Sequence, residues 1–154
     1  MAEIRVETDI AGSAEAIFDI IVDLRGYDRW LPPSKAFPGT TEISDGPIGV
    51  GTTYVESSAD GIRRGTVTAF DRPTRVAFHQ PMSMKPRALG TVDIGVTYTL
   101  TPAGASTHVV RVVELALPLA LKPAKPIVLR AFRREIERTV AALKAYVESG
   151  AAGD

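Results

Sequence analysis

The chain has 154 residues, with 18 lysines and arginines balanced by 18 aspartates and glutamates, and no cysteine. A chain of this length fits one domain that buries roughly 70% of its unfolded surface. Zero net charge argues against a nucleic-acid partner, and the lack of cysteine excludes disulfides, thiolate metal ligands and a cysteine nucleophile.

The opening segment Met1-Ala2-Glu3-Ile4-Arg5-Val6-Glu7 has no basic region leading into an apolar stretch, so cytoplasmic residence is the expectation. Within it Ile4, Val6, Thr8 and Ile10 alternate with Arg5, Glu7 and Asp9, the period of a strand with one buried face. Ser13 then offers a helix cap, Glu15 suits the positive first turn, and Ala16, Ile17, Ile20, Ile21 and Leu24 follow at helical spacing. This predicts a short helix from Ser13 to about Asp23. One more helical turn fits before Pro32 and Pro33 forbid continuation, which leaves Trp30 in a loop.

Four extended segments follow: Thr40 to Ser44, Thr52 to Ser58, Ile62 to Phe70 and Thr74 to Gln80. Turn formers separate them at Asp45-Gly46-Pro47, Ala59-Asp60-Gly61 and Asp71-Arg72-Pro73, as an antiparallel meander requires. The longest hairpin is predicted from Gly90 to Thr101 and Thr107 to Leu117, joined by Pro102 to Ser106. Pairing about that turn puts Val92, Ile94, Val96, Tyr98 and Leu100 on the same face as Val109, Arg111, Val113 and Leu115. Only Arg111 breaks the apolar pattern.

Leu115 to Leu121, the most apolar run, is far short of the roughly 20 residues of a membrane span. Leu129, Phe132, Ile136, Val140, Leu143 and Val147 recur every three or four residues, which predicts a long amphipathic helix starting near Pro123 or Pro126 and stopping at Gly150. Residues 1–150 are thus read as one domain and 151–154 as a loose tail.

Several chemical signals are weak. His79 and His108 fall on outward strand faces with no second ligand at metal spacing, so no metal or other cofactor is expected. Asp93 and Glu114 are placed opposite each other across the long hairpin, where two carboxylates would perturb one another, but on a solvent-exposed face. Gly46 to Gly51 lacks the lysine and helix of a phosphate loop, and no serine stands in a nucleophile elbow. Lys122, Lys125, Arg130, Arg133, Arg134 and Arg138 give the last helix a basic bias that suits either an anionic lipid surface or an ordinary solvated face.

The order strand, helix, turn, six strands and terminal helix, with Ser13-Ala14-Glu15-Ala16-Ile17-Phe18 before Tyr27-Asp28-Arg29-Trp30, resembles the helix-grip superfamily of START domains, pollen-allergen-like proteins and polyketide cyclases, known as SRPBCC. Gly51-Thr52-Thr53-Tyr54, Phe70-Asp71-Arg72-Pro73, Tyr98-Thr99-Leu100-Thr101-Pro102 and Ala142 to Glu148 extend the likeness over essentially the whole chain. The chain most resembles the bacterial polyketide cyclase/dehydrase and lipid-transport-like group. These motifs specify turns and packing more than chemistry.

The resemblance implies an α+β helix-grip fold, a curved seven-stranded antiparallel sheet wrapped round a long C-terminal helix, with one or two short helices after the first strand. It also implies an apolar cavity between sheet and helix for a lipid-like, aromatic or polyketide ligand. Strand alternation turns Val76, Phe78 and Gln80 inward with the hairpin residues Ile94, Val96, Tyr98, Arg111 and Val113, and the helix adds Phe132, Ile136 and Val140. On Thr52 to Ser58 the alternation leaves both faces open, and the family analogy favours Tyr54 and Glu56 inward.

Each polar candidate has a plainer reading beside the functional one. Glu56 and Arg111 form a neutralising pair in the cavity or snorkel to the sheet edge. Tyr54 and Tyr98 donate to a ligand or serve packing. Trp30 closes the mouth or anchors its loop, and Met82 to Arg87 forms an adaptable lid or a surface loop. Three functions compete: a binder of a hydrophobic small molecule, a cyclase or dehydratase using Glu56, Tyr98 and Arg111 as catalytic groups, and a protein-interaction module. Stable membrane insertion is not expected, and the sequence is silent on oligomeric state.

Overall fold

The structure is a computed structural model and describes residues 1–150. The tail predicted at 151–154 lies outside the described residues. The chain runs β1 (Ala2–Ala11), α1 (Ala14–Val22), a 3-10 segment Leu24–Arg29, β2 (Thr53–Ser58), β3 (Gly61–Asp71), β4 (Arg75–His79), β5 (Met82–Met84), β6 (Thr91–Ala103), β7 (Ser106–Ala116) and α2 (Lys125–Glu148). The strands form one seven-stranded antiparallel sheet in the order β1-β7-β6-β4-β3-β2, with β5 pairing to β3 and β6. This is the helix-grip α+β fold that the resemblance implied.

Local chemistry fixes the elements where the sequence placed them. Ser13 Oγ accepts the Ala16 amide at 3.1 Å, which satisfies an amide that the first helical turn leaves without a partner. Pro126 sits in the first turn of α2, where its missing N–H removes no helical bond, and Gly150, at φ 80, ends the helix in a conformation that costs glycine least. In the long hairpin Ile94 faces Leu115, Val96 faces Val113, Tyr98 faces Arg111 and Leu100 faces Val109, the register expected from the turn. The turn itself is tighter than predicted, because Ala103 already pairs with Ser106.

The core lies between the sheet and the helices. Ile10, Ile17, Phe18, Ile21, Val76, Leu100, Val109 and Leu143 are fully buried, each such burial worth about 1.5–3 kcal/mol. Phe18 meets Phe70 edge-on with ring centroids 5.2 Å apart, fastening α1 to β3. The far end of α2 is held to the end of β1 by polar contacts: Lys144 Nζ donates to the Asp9 carbonyl at 2.6 Å and Glu148 accepts the Ala11 amide at 3.0 Å.

Three expectations are corrected. Thr40 to Ser44 is not a strand; it makes a single bridge, Thr41 with Val55. Glu42 adopts φ 49, a left-handed conformation that breaks an extended run. Conversely, Met82–Met84 is a strand and not a lid or surface loop. β4 covers β3 only from Thr66 onward, so Gly61 to Arg63 would keep unpaired backbone groups, and β5 supplies their partners. Finally, Asp93 faces Ala116 rather than Glu114, and its carboxylate lies 2.6 Å from His79 Nε2 on the exposed side of the sheet.

Candidate functional site

Between the sheet and α2 lies a cavity of about 80 Å³. Tyr54, Phe78, Ile94, Val96, Tyr98 and Val113 line it from the strands, Phe132, Ile136 and Thr139 from α2, and Trp30, Leu31 and Phe37 from the long α1–β2 connection. The strand β2, whose face the sequence left open, turns Tyr54, Glu56 and Ser58 inward, at 3%, 6% and 8% exposure. Tyr54 reaches this position because it pairs with Gly65, where even a Cβ would come within 2.1 Å of the tyrosine ring. Its hydroxyl donates to Gln80 Oε1 at 2.6 Å, and its ring meets Phe78 edge-on.

Glu56 is paired, but not with Arg111. Its cross-strand neighbour in the β2–β3 hairpin is Arg63, whose Nε stands 3.4 Å from Glu56 Oε1, and Thr40 Oγ1 donates to the other carboxylate oxygen at 3.0 Å. Burial pushes the Glu56 carboxyl above its ordinary range, and the attraction of Arg63 and the bond from Thr40 oppose that shift. Arg111 instead lies over the Tyr98 ring, its guanidinium carbon 5.3 Å from the centroid. Arg111 Nε and Trp30 Nε1 are buried without an acceptor among the described residues. Burial also raises the Tyr54 hydroxyl well above the usual phenol range and the Tyr98 hydroxyl above it, so both stay protonated donors at neutral pH.

The cavity thus gathers Trp30, Tyr54, Glu56, Phe78, Gln80, Ile94, Val96, Tyr98, Arg111, Val113, Phe132 and Ile136, all named from the sequence. Val140 does not line it; at 4% exposure it is buried outside the lining. Trp30 serves both of its readings, since it lines the cavity and packs edge-on against Tyr27 at 5.3 Å. Sequence reasoning missed Leu24, Tyr27, Leu31, Phe37, Arg63, Glu135 and Thr139. Arg63 was within reach, because the turn Ala59-Asp60-Gly61 fixes the hairpin register that sets it opposite Glu56. Glu135 and Thr139 share the helical face of Phe132 and Ile136, but their polarity hid them from an apolar pattern.

A second, wider groove of about 360 Å³ adjoins the cavity and shares Arg63, Phe132 and Glu135 with it. Its wall is mainly apolar: Met82, Met84, Val92, Leu121, Ile127 and Val128, with Ser58 and Asp60 at one side. The shared residues are tethered. Arg63 donates to the Ala36 carbonyl at 2.6 Å, and Glu135 accepts from Ser34 and Arg138. Arg138 also reaches the Pro32 carbonyl at 2.8 Å, so the 32–37 loop is fastened to both β3 and α2.

The histidines sit away from this site. His108 lies on the outer face of β7 with Asp9 on one ring nitrogen and Glu7 on the other, each at 2.8 Å. These hydrogen bonds, first from Asp9 and then from Glu7, raise the imidazole above its ordinary range. Two carboxylates on opposite nitrogens stabilise the protonated ring and do not converge on one point.

The chain matches, over residues 1–148, the family described as polyketide cyclase / dehydrase and lipid transport. It belongs to that family. Among solved structures, members of the same fold include a protein of Mesorhizobium loti, 16% identical with TM-score 0.72, the match covering 96% of this chain and 98% of that one. A START superfamily protein from Mycobacterium smegmatis is also 16% identical, with TM-score 0.71 and coverage of 96% and 97%. A point mutant of norcoclaurine synthase from Thalictrum, in complex with a transition-state analogue, is 19% identical with TM-score 0.72 and coverage of 96% and 94%. At such identities these likenesses establish the fold alone. A search among curated proteins finds no match. No helix among the described residues is long and apolar enough to cross a membrane.

Proposed function

We propose that this family member binds a hydrophobic small molecule in the space between its sheet and α2. The carrying observation is the 80 Å³ cavity opening beside a 360 Å³ apolar groove, the larger of which lies within the roughly 300–1,000 Å³ range of small-molecule sites. Apolar walls with a few aimed polar groups are the make-up of such sites. Native mass spectrometry after incubation with long-chain alcohols and polycyclic aromatics tests the reading. A retained one-to-one adduct supports it, and failure to retain any apolar molecule across the panel overturns it.

A cyclase or dehydratase activity is the second reading, favoured by one observation: Glu56 is a buried carboxyl raised above its ordinary range beside the cations Arg63 and Arg111. A carboxyl shifted in this direction is closer to the range in which it can exchange a proton with a carbonyl compound, while Tyr98 and Arg111 polarise the carbonyl oxygen. Turnover of poly-β-ketone substrates by wild type, Glu56→Gln and Arg111→Met decides it. Unchanged product distributions in both variants remove these residues from any chemistry, and retained binding with lost turnover assigns it to them.

A further inference from the structure

We infer that the ligand is an anionic amphiphile, its acidic head seated on Arg111 in the inner cavity and its apolar body lying past Phe132 in the outer groove. The inference rests on the apolar-ligand reading above and specifies its chemistry. The inner cavity is donor-rich: Arg111 Nε, Trp30 Nε1 and Arg63 Nε are buried without hydrogen-bond acceptors among the described residues, and Tyr98 lines the same space. A buried donor left unmade costs about 1–3 kcal/mol, and a ligand oxygen removes that penalty.

Charge selects an anion over a neutral carbonyl. Glu56 is matched by Arg63 and Glu135 by Arg138, so Arg111 is the lining cation with no carboxylate of its own among the described residues. Its guanidinium lies against the face of Tyr98 and feels the Glu56 carboxylate only as a charge, without a salt bridge to it. A carboxylate accepts the guanidinium hydrogen bonds that no side chain supplies.

Size and polarity fix the orientation. At about 80 Å³ the inner cavity takes a head group and little more, whereas the outer groove, at about 360 Å³, takes a chain or fused ring. The groove carries Asp60 and no unpaired cation, so it repels an acidic head and welcomes the apolar end. Phe132, Arg63 and Glu135 form the neck through which the molecule threads.

Trp30, the only tryptophan, lines the inner cavity and reports head-group occupancy by its fluorescence. Titration with dodecanoate and with 1-dodecanol is expected to give a preference for the acid of at least tenfold. Arg111→Met brings the ratio of the two affinities close to one, and Arg111→Lys retains most of the preference, with thermal unfolding verifying that both variants are folded. Ala131→Phe, at an exposed helix position on the groove wall, weakens dodecanoate about tenfold and leaves butanoate unaffected. Equal affinities for acid and alcohol in the wild type overturn the acidic-head assignment and leave apolar binding standing. Absence of binding by both overturns the parent reading as well, and an undiminished affinity in Ala131→Phe removes the outer groove from the site.

Discussion

Replacing Arg63 with methionine leaves Glu56 as a buried carboxylate without its cation. The two side chains are 13% and 8% exposed and their charged atoms stand 3.4 Å apart, so an effective dielectric near 20 gives a gross attraction of about 5 kcal/mol. Much of that offsets the desolvation of both ions, and loss of one partner from such a pair costs about 3–5 kcal/mol. Thr40 and the charge of Arg111 still support the carboxylate, which sets the expected cost at about 3 kcal/mol. For a chain of this size that lowers Tm by about 6–12 °C. The double variant Glu56→Gln/Arg63→Met removes both charges and returns to within about 1 kcal/mol of wild type.

The pH dependence has a definite sign. Glu56 is already raised above its ordinary value of 4.5, and loss of Arg63 raises it further. The folded variant then binds this proton more tightly than the unfolded chain, so the penalty is complete above the raised value and disappears below 4.5. Calorimetry at pH 7.5 and pH 4.5 should show the gap between wild type and Arg63→Met shrinking at the lower pH. A gap independent of pH, or one below about 1 kcal/mol at pH 7.5, refutes a buried pair at this position.

Gly65→Ala forces the Tyr54 ring out of its seat, because the new Cβ would lie 2.1 Å from Tyr54 Cζ; overpacking of this kind costs about 1–3 kcal/mol. In a Tyr54→Ala background the same substitution should be nearly neutral by urea unfolding, which separates the clash from a general loss of strand structure. His108 is raised by Asp9 and Glu7, so the stability it contributes is complete below pH 6.5 and fades as pH rises through its folded value. Thermal scans of His108→Gln should therefore differ most from wild type at pH 6 and converge toward pH 9; a constant difference would contradict the assignment. Ser13→Ala removes the acceptor for the Ala16 amide and should cost about 1 kcal/mol by denaturant unfolding.

The elements with strong periodicity were legible: β1, α1, the β6–β7 hairpin in its correct register, and α2. What failed had physical causes outside a period. Thr40 to Ser44 has strand-forming residues, but Glu42 at φ 49 bends the chain after one bridge, and nothing in residue type announces that. β5 is three residues long and exists only because β4 leaves part of β3 unpaired, a property of the sheet and not of Met82–Met84. In the site, alternation delivered the apolar lining, including Phe78, Ile94 and Val113. Partner choice was less legible: Glu56 was matched to Arg111 across the cavity, while the adjacent strand already offered Arg63. Val140 shows the reverse error, since burial on α2 does not distinguish a cavity wall from a packed interface.

The fastening of the 32–37 loop has a mechanical consequence. Pro32 and Ser34 are bonded to Arg138 on α2, whereas Ala36, two residues later, is bonded to Arg63 on β3. Withdrawal of the helix from the sheet pulls the two halves of this short loop in opposite directions, so the cleft cannot widen at this end without rupturing a guanidinium bond on one side or the other. Passage of a large molecule is thereby coupled to two arginines, one of which also neutralises the buried carboxylate.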